Sequence, residues 1–219
     1  MSGVLALVGG GEFTPTCADL DAELLAWSGV GEVLVLPTAA AYEMPERVVA
    51  NASVHFEPLG ATVHGLMVLG RPDALMVEVA AIVRASRFIY LAGGSPMHVR
   101  SVLKDTPVWE AIVAAWHDGA VVAGASAGAM VLSDPMVDPR GGAFTLGLAL
   151  VAPLAVVPHH EDWSHDRTRR TYELAPKGVP VLALDTGAAA VRSSDAVWTA
   201  RGNVQVMVDG REATLAALP

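Results

Sequence analysis

Cysteine is almost missing from this chain, with Cys17 alone among 219 residues. No internal disulfide can form, zinc centres built on several thiolates are excluded, and a reducing interior is the natural setting. Basic residues are scarce as well: 14 Lys and Arg stand against 23 Asp and Glu, a formal charge of −9, and they form no basic stripe. Binding along a phosphate backbone needs such a stripe, so the composition argues against nucleic acid as a partner. Long apolar runs are lacking too. Hydrophobic residues make up 53% of the chain, yet alanine and valine carry most of that in strand-sized stretches, well short of the ~20 residues of a membrane-spanning helix. Val4 to Val8 has no basic lead and reaches Gly9-Gly10-Gly11-Glu12 too soon for a secretory signal. A soluble, cytoplasmic protein with no membrane partner is the expectation. No stretch is polar enough to serve as a linker, so residues 1–219 are expected to fold as one domain.

Short β-branched runs (Val4 to Val8, Val33 to Leu36, Thr62 to Val68, Phe88 to Leu91, Val121 to Ala123) alternate with helical stretches (Ala18 to Trp27, Pro45 to Phe56, Asp73 to Ala85, Met97 to Lys104, Val108 to His117). Strands apolar on both faces and separated by helices predict an α/β fold with a parallel sheet covered on both sides and right-handed crossovers. Pro45, Pro72, Pro96 and Pro107 stand where a helix could begin its first turn. Asp134 to Gly142 breaks the alternation as a surface excursion. Beyond it come Leu154 to Val157, a helix near Trp163 to Leu174, and Val181 to Leu184, Ala188 to Val191, Ala196 to Thr199 and Val204 to Val208. Their close spacing predicts an antiparallel edge, with Asp209-Gly210 as a turn. Trp163, Met97 and Trp109 belong to the core by default, although a homodimer surface would use the same residue types.

The segment Val121 to Met130, VVAGASAGAM, carries the sharpest chemical signal. A buried strand runs into Gly124-Ala125-Ser126-Ala127-Gly128 and then into a helix-forming stretch, which is the setting of a nucleophile elbow. Glycines on both flanks remove the Cβ atoms that a tight strand-to-helix turn cannot hold, and the Ala127 amide would point at a forming oxyanion. An inert serine in a loosened turn is the competing reading. Gly9-Gly10-Gly11-Glu12-Phe13 fails the dinucleotide fingerprint, since Thr14 stands where a glycine is required and no lysine follows, so close backbone packing near the site is its reading. Leu91-Ala92-Gly93-Gly94-Ser95-Pro96 offers bare amides at a strand end, making Gly93 or Gly94 a second oxyanion donor.

Three of the seven histidines fall between Pro158 and Asp166. A serine nucleophile needs a base of near-neutral pKa, which His159 or His160 would supply. A zinc helix would require histidine at position 164, where Ser164 stands instead, and no metal or other cofactor is expected. The acid that would orient the ring stays open among Asp185, Asp134 and Asp138, each of which also suits a turn.

Taken together, GGGEF, YLAGGSP (Tyr90 to Pro96), GASAGAM (Gly124 to Met130), Pro158-His159-His160 with its trailing arginines, and LALDTGAAAV (Leu182 to Val191) resemble the dipeptidase E and cyanophycinase family of serine peptidases, in order and spacing, over nearly the whole chain. That resemblance implies the class I glutamine amidotransferase-like fold, a flavodoxin-like three-layer α/β/α sandwich. It also implies hydrolysis of a short peptide or isopeptide beside an aspartyl residue. Carried over, Ser126 is the nucleophile, His159 rather than His160 the base, and Ala127 with Gly93-Gly94 the oxyanion donors. One of Arg167, Arg169 and Arg170 would grip an acidic substrate group, since guanidinium forks suit carboxylates. Two departures stand out: Thr186 occupies a place where the family often carries an acid, and Ser95-Pro96 replaces the usual asparagine after the paired glycines. The first motivates a rival expectation, a binding module without a working triad. Amidase or esterase chemistry on the same elbow is a third.

Overall fold

In the computed structural model, which describes residues 2–140 and 143–219, five parallel strands form the heart of a seven-stranded sheet. They are β1 (Leu5–Val8), β2 (Glu32–Leu36), β3 (Thr62–Gly65), β4 (Phe88–Leu91) and β5 (Val121–Ala125), in the spatial order β1-β5-β4-β2-β3. Side chains alternate across the sheet, so neighbouring residues of one strand enter different cores. Leu5, Leu7, Ile89 and Val122 pack with the helices of one face, whereas Ala6, Val8, Tyr90 and Ala123 pack with those of the other. The first face is covered by α3 (Arg71–Ala74), α4 (Val77–Ala85), α5 (Pro96–Leu103), α6 (Pro107–His117) and α7 (Ala127–Leu132), the second by α1 (Ala18–Ser28) and α2 (Pro45–Phe56). This is the expected three-layer α/β/α sandwich.

Pro45, Pro96 and Pro107 each open a helix, where the missing N–H costs nothing. The helix expected over Asp73 to Ala85 is two helices instead. The Asp73 carboxylate accepts from the amides of Leu69 (2.9 Å) and Gly70 (2.8 Å), which fixes a separate first turn before the chain resets at Met76. The strand expected to reach Val68 ends at Gly65, because the Val68 amide turns back onto the Leu66 carbonyl at 2.8 Å.

The later strands divide between sheets rather than extending one. A short ribbon of β6 (Met136–Val137) and β7 (Phe144–Thr145) occupies the excursion, of which Gly141 and Gly142 lie outside the described residues. Next come β8 (Ala155–Val157), α8 (His165–Leu174), β9 (Val181–Leu184), β10 (Ala189–Arg192), β11 (Trp198–Arg201), β12 (Val204–Val208) and β13 (Arg211–Ala213). Strands β10 and β11 continue the main sheet antiparallel beside β1. A second sheet of order β13-β12-β9-β8 stands apart, with β8 parallel to β9. Asp209 and Gly210 join β12 to β13 with φ of 51° and 71°, the positive values a tight hairpin turn requires. Trp109 and Trp163 pack half-buried against the core, while Met97 is exposed. No helix among the described residues is long and apolar enough to cross a membrane.

One charged group sits deep beneath the second face. Asp21 is fully buried, and its Oδ2 meets His55 Nε2 at 2.8 Å while Oδ1 has no partner among the described residues. Burial pushes this carboxyl up more strongly than the hydrogen bond and charge of His55 draw it down. An acid whose pKa is raised by folding contributes stability that is fully present below its unfolded value and is lost as pH climbs through the folded one. The Asp21→Asn variant keeps an acceptor for His55 without the charge. Its melting temperature should therefore gain on wild type as pH rises from about 4, at ~2–4 °C per kcal/mol. Parallel Tm-versus-pH curves would contradict this.

Candidate active site

Ser126 stands between β5 and α7 with φ 49° and ψ −109°, a backbone conformation that non-glycine residues rarely adopt. Such strain persists only where the surroundings over-determine it, and here they do. A Cβ on Gly128 would lie 2.2 Å from the Leu91 carbonyl oxygen, and one on Gly124 2.6 Å from the Gly128 carbonyl carbon. The helix can approach the sheet this closely only with glycine at both places, and that approach levers the serine side chain out beyond the strand ends.

The second sheet delivers the rest. His159 follows β8, and its amide donates to the Gly9 carbonyl (2.9 Å) just beyond β1; the Gly187 amide after β9 donates to the Gly10 carbonyl (2.9 Å). Two turns of the second sheet are thereby bolted to the glycine loop of the first. His159 adopts left-handed φ and ψ of 48° and 43°, and its Nε2 lies 3.0 Å from Ser126 Oγ. The ring also rests on the GGGEF loop, since a Cβ on Gly10 would stand 2.1 Å from His159 Cε1. That contact explains why the loop reads as glycine without being a nucleotide cradle.

His160 points elsewhere: Nε2 is 3.1 Å from the Tyr172 hydroxyl, and Nδ1 is 3.7 Å from Asp185. None of the three expected acids touches His159. Asp185 instead accepts from Asn203 Nδ2 at 2.6 Å, Asp134 from the Gly147 amide at 2.8 Å, and Asp138 from the amide and guanidinium of Arg140. The side chain that meets His159 Nδ1 is Thr186, whose Oγ1 is 3.0 Å away. Position 185 directly follows β9, with its side chain turned to Asn203 just before β12, and the ring is met one residue later. The departure noted at Thr186 was the sole sequence signal of this.

Of the expected oxyanion donors, the Gly93 amide is already bound to Glu12 Oε1 at 2.7 Å. The Ala127 amide, first in α7, lies outside the intrahelical ladder, and Gly94, with a φ of +133°, lines the cavity beside Ser126. A cavity of about 220 Å³ opens beside Ser126, lined by Gly94, Met130, His159, Asp162, Trp163 and Arg167 among others. Arg167 lays its guanidinium 3.4 Å over the Trp163 ring and donates to the Pro139 carbonyl at 2.7 Å, while its Nε is buried without a partner among the described residues. Arg169 and Arg170 do not face this space, being paired with Asp166 and, for Arg169, Glu173 on the exposed side of α8.

Rival centres are poorly equipped. Burial, with the charge of Asp21 second, pushes the Cys17 thiol up to about 11, which leaves little thiolate at neutral pH. No cluster of His, Cys, Asp and Glu suited to a metal ion occurs among the described residues. A larger cavity, about 710 Å³, opens at the other end of the sheet around Ser2, Trp27, His117 and Ser193. No hydroxyl there is hydrogen-bonded to a ring among the described residues.

Residues 5–199 match the sequence profile of peptidase family S51. The chain belongs to that family. It is accordingly a serine-type peptidase. Among solved structures, a peptidase from an acI-B1 Actinobacterium is 29% identical and superposes with a TM-score of 0.85, covering 97% of this chain and 93% of that one. A putative peptidase E protein from Listeria monocytogenes shares the fold at 19% identity and a TM-score of 0.66, covering 95% of this chain and 99% of the other. No curated protein matches the chain.

Proposed function

We propose that this peptidase hydrolyses short peptides or isopeptides beside an aspartyl residue, in the cytoplasm, with Ser126 as nucleophile and His159 as base. The contact that carries the reading is the 3.0 Å approach of His159 Nε2 to the strained Ser126 hydroxyl. As Oγ bonds to the substrate carbonyl carbon, its proton passes to Nε2 and the carbonyl electrons move onto oxygen, facing the Ala127 and Gly94 amides. Collapse of this intermediate expels the amine, which takes the proton from Nε2. Water, deprotonated by the same ring, then releases the acyl group.

Cavity size and charge support a short acidic substrate. About 220 Å³ holds little more than one or two residues. Arg167 offers a cation, and Asp162 a carboxylate that suits a free amino terminus. Replacing Arg167 with alanine should lower kcat/KM for Asp-Xaa dipeptides about 10- to 100-fold, mostly through KM, the worth of a charged hydrogen bond (~1.5–3 kcal/mol). Neutral analogues should lose far less.

The deciding assay is release of amino acids from a panel of Asp-Xaa, isoaspartyl and neutral dipeptides. Turnover confined to the acidic members is expected. Turnover of simple esters or amides with none of any peptide would replace the reading with amidase or esterase chemistry.

A further inference from the structure

Among the described residues no carboxylate is hydrogen-bonded directly to Ser126 or His159, and a threonine hydroxyl cannot by itself balance the charge that an imidazole acquires when it takes a proton. For Nε2 to accept from Ser126, the ring hydrogen must reside on Nδ1. From there it is donated to Thr186 Oγ1, 3.0 Å away. That hydroxyl, having accepted, keeps its own hydrogen to give.

Glu161 stands next to it. The two carboxylate oxygens of Glu161 each lie 3.0 Å from the Thr186 amide nitrogen, which sets the carboxylate against the same residue whose hydroxyl meets the ring. From these contacts we infer that Glu161 is the acid of this site, acting on His159 through the Thr186 hydroxyl. The relay runs Ser126–His159–Thr186–Glu161, and Thr186 and Glu161 are positioning residues within it. This rests on the Ser126 and His159 roles proposed above.

Electrostatics agree with the geometry. Burial works to raise the Glu161 carboxyl, but the Thr186 hydroxyl and amide, its own amide and the charge of His159 outweigh it and hold the carboxyl below its ordinary value. Other charges around the ring are engaged or face another way. Asp185 is held by Asn203 and lies near His160, Glu12 is held by Gly93, and Asp162 lines the cavity together with Arg167. Glu161 is itself exposed, so solvent screens its bare charge and the hydrogen-bonded route through Thr186 carries the effect.

The test follows the rate of fluorophosphonate labelling against pH for wild type, Glu161→Gln, Thr186→Val and the double variant. Loss of the carboxylate should slow labelling about 10- to 100-fold, the usual cost of an orienting partner one shell out. It should also move the midpoint of the pH dependence to lower pH, because the protonated ring loses its counter-charge. Thr186→Val should do the same, and Glu161→Gln added to it should cost no more than about twofold further. Adding Thr186→Glu to Glu161→Gln should restore rate and midpoint, since it puts a carboxylate in direct reach of Nδ1. A Glu161→Gln variant with unchanged rate and midpoint would overturn the relay, and so would full additivity of the two losses.

NMR titration of the His159 ring in wild type and Glu161→Gln reads the same coupling without a reactive serine. If wild type resists the probe, the nucleophile proposal fails while the relay is still judged, an unmoved ring titration contradicting it.

Discussion

Ser126→Ala and His159→Ala will each lower kcat/KM about 10⁴- to 10⁶-fold, and the double variant will be no worse than either alone. In the proposed mechanism the two side chains perform one act. Oγ is a weak nucleophile until Nε2 takes its proton, and Nε2 has no work without that proton. The 3.0 Å contact between them makes the losses overlap rather than add. Residual turnover would come from the Ala127 and Gly94 amides and from substrate held by Arg167. Folding should survive, because both side chains lie at the strand ends rather than in either core. Losses that multiply in the double variant would show that the serine and the histidine act separately.

Gly10→Ala should silence the enzyme from a position outside the lining of the cavity beside Ser126. Its Cβ would need the space of the His159 ring, with contacts of 2.1 Å to Cε1 and 2.5 Å to Nε2. A backbone φ of +125° adds strain of ~1–3 kcal/mol for any residue with a side chain. The ring must swing away, and a displacement of about 1 Å between reacting groups costs on the order of 100-fold in rate. We expect kcat/KM to fall at least that far with a melting transition still cooperative. Activity within threefold of wild type, measured beside Tm, would mean that the loop does not set the ring.

These two variants also mark where the sequence could be read and where it could not. The elbow was legible because sterics act locally there: a strand, a serine between glycines and a helix leave one workable geometry, and Gly124 and Gly128 meet backbone at the predicted places. Layering was legible for a similar reason, since runs apolar on both faces need helices on both sides. Partition of the late strands was not. Whether Val181–Leu184 joins β1 or β8 depends on long-range pairing, and both outcomes suit the same apolar run.

His159's partner escaped for a further reason. Asp185, a carboxylate just past a strand end, is one of three acids the sequence leaves open, but the turn after β9 aims consecutive side chains in different directions. Asp185 goes to Asn203 and Thr186 to the ring. Glu161 lay hidden among the charges of a polar segment, and its value appears only when the turn after β8 meets the turn after β9. For Gly10 the sequence supports close backbone packing; that the packed object is the imidazole depends on the two sheets being in place.

The most direct test of the account is to label the intact protein with a fluorophosphonate and locate the adduct by peptide mass spectrometry. The account predicts one adduct, on Ser126, absent from Ser126→Ala and slowed by His159→Ala. An adduct on another residue, or labelling undiminished in Ser126→Ala, would contradict it.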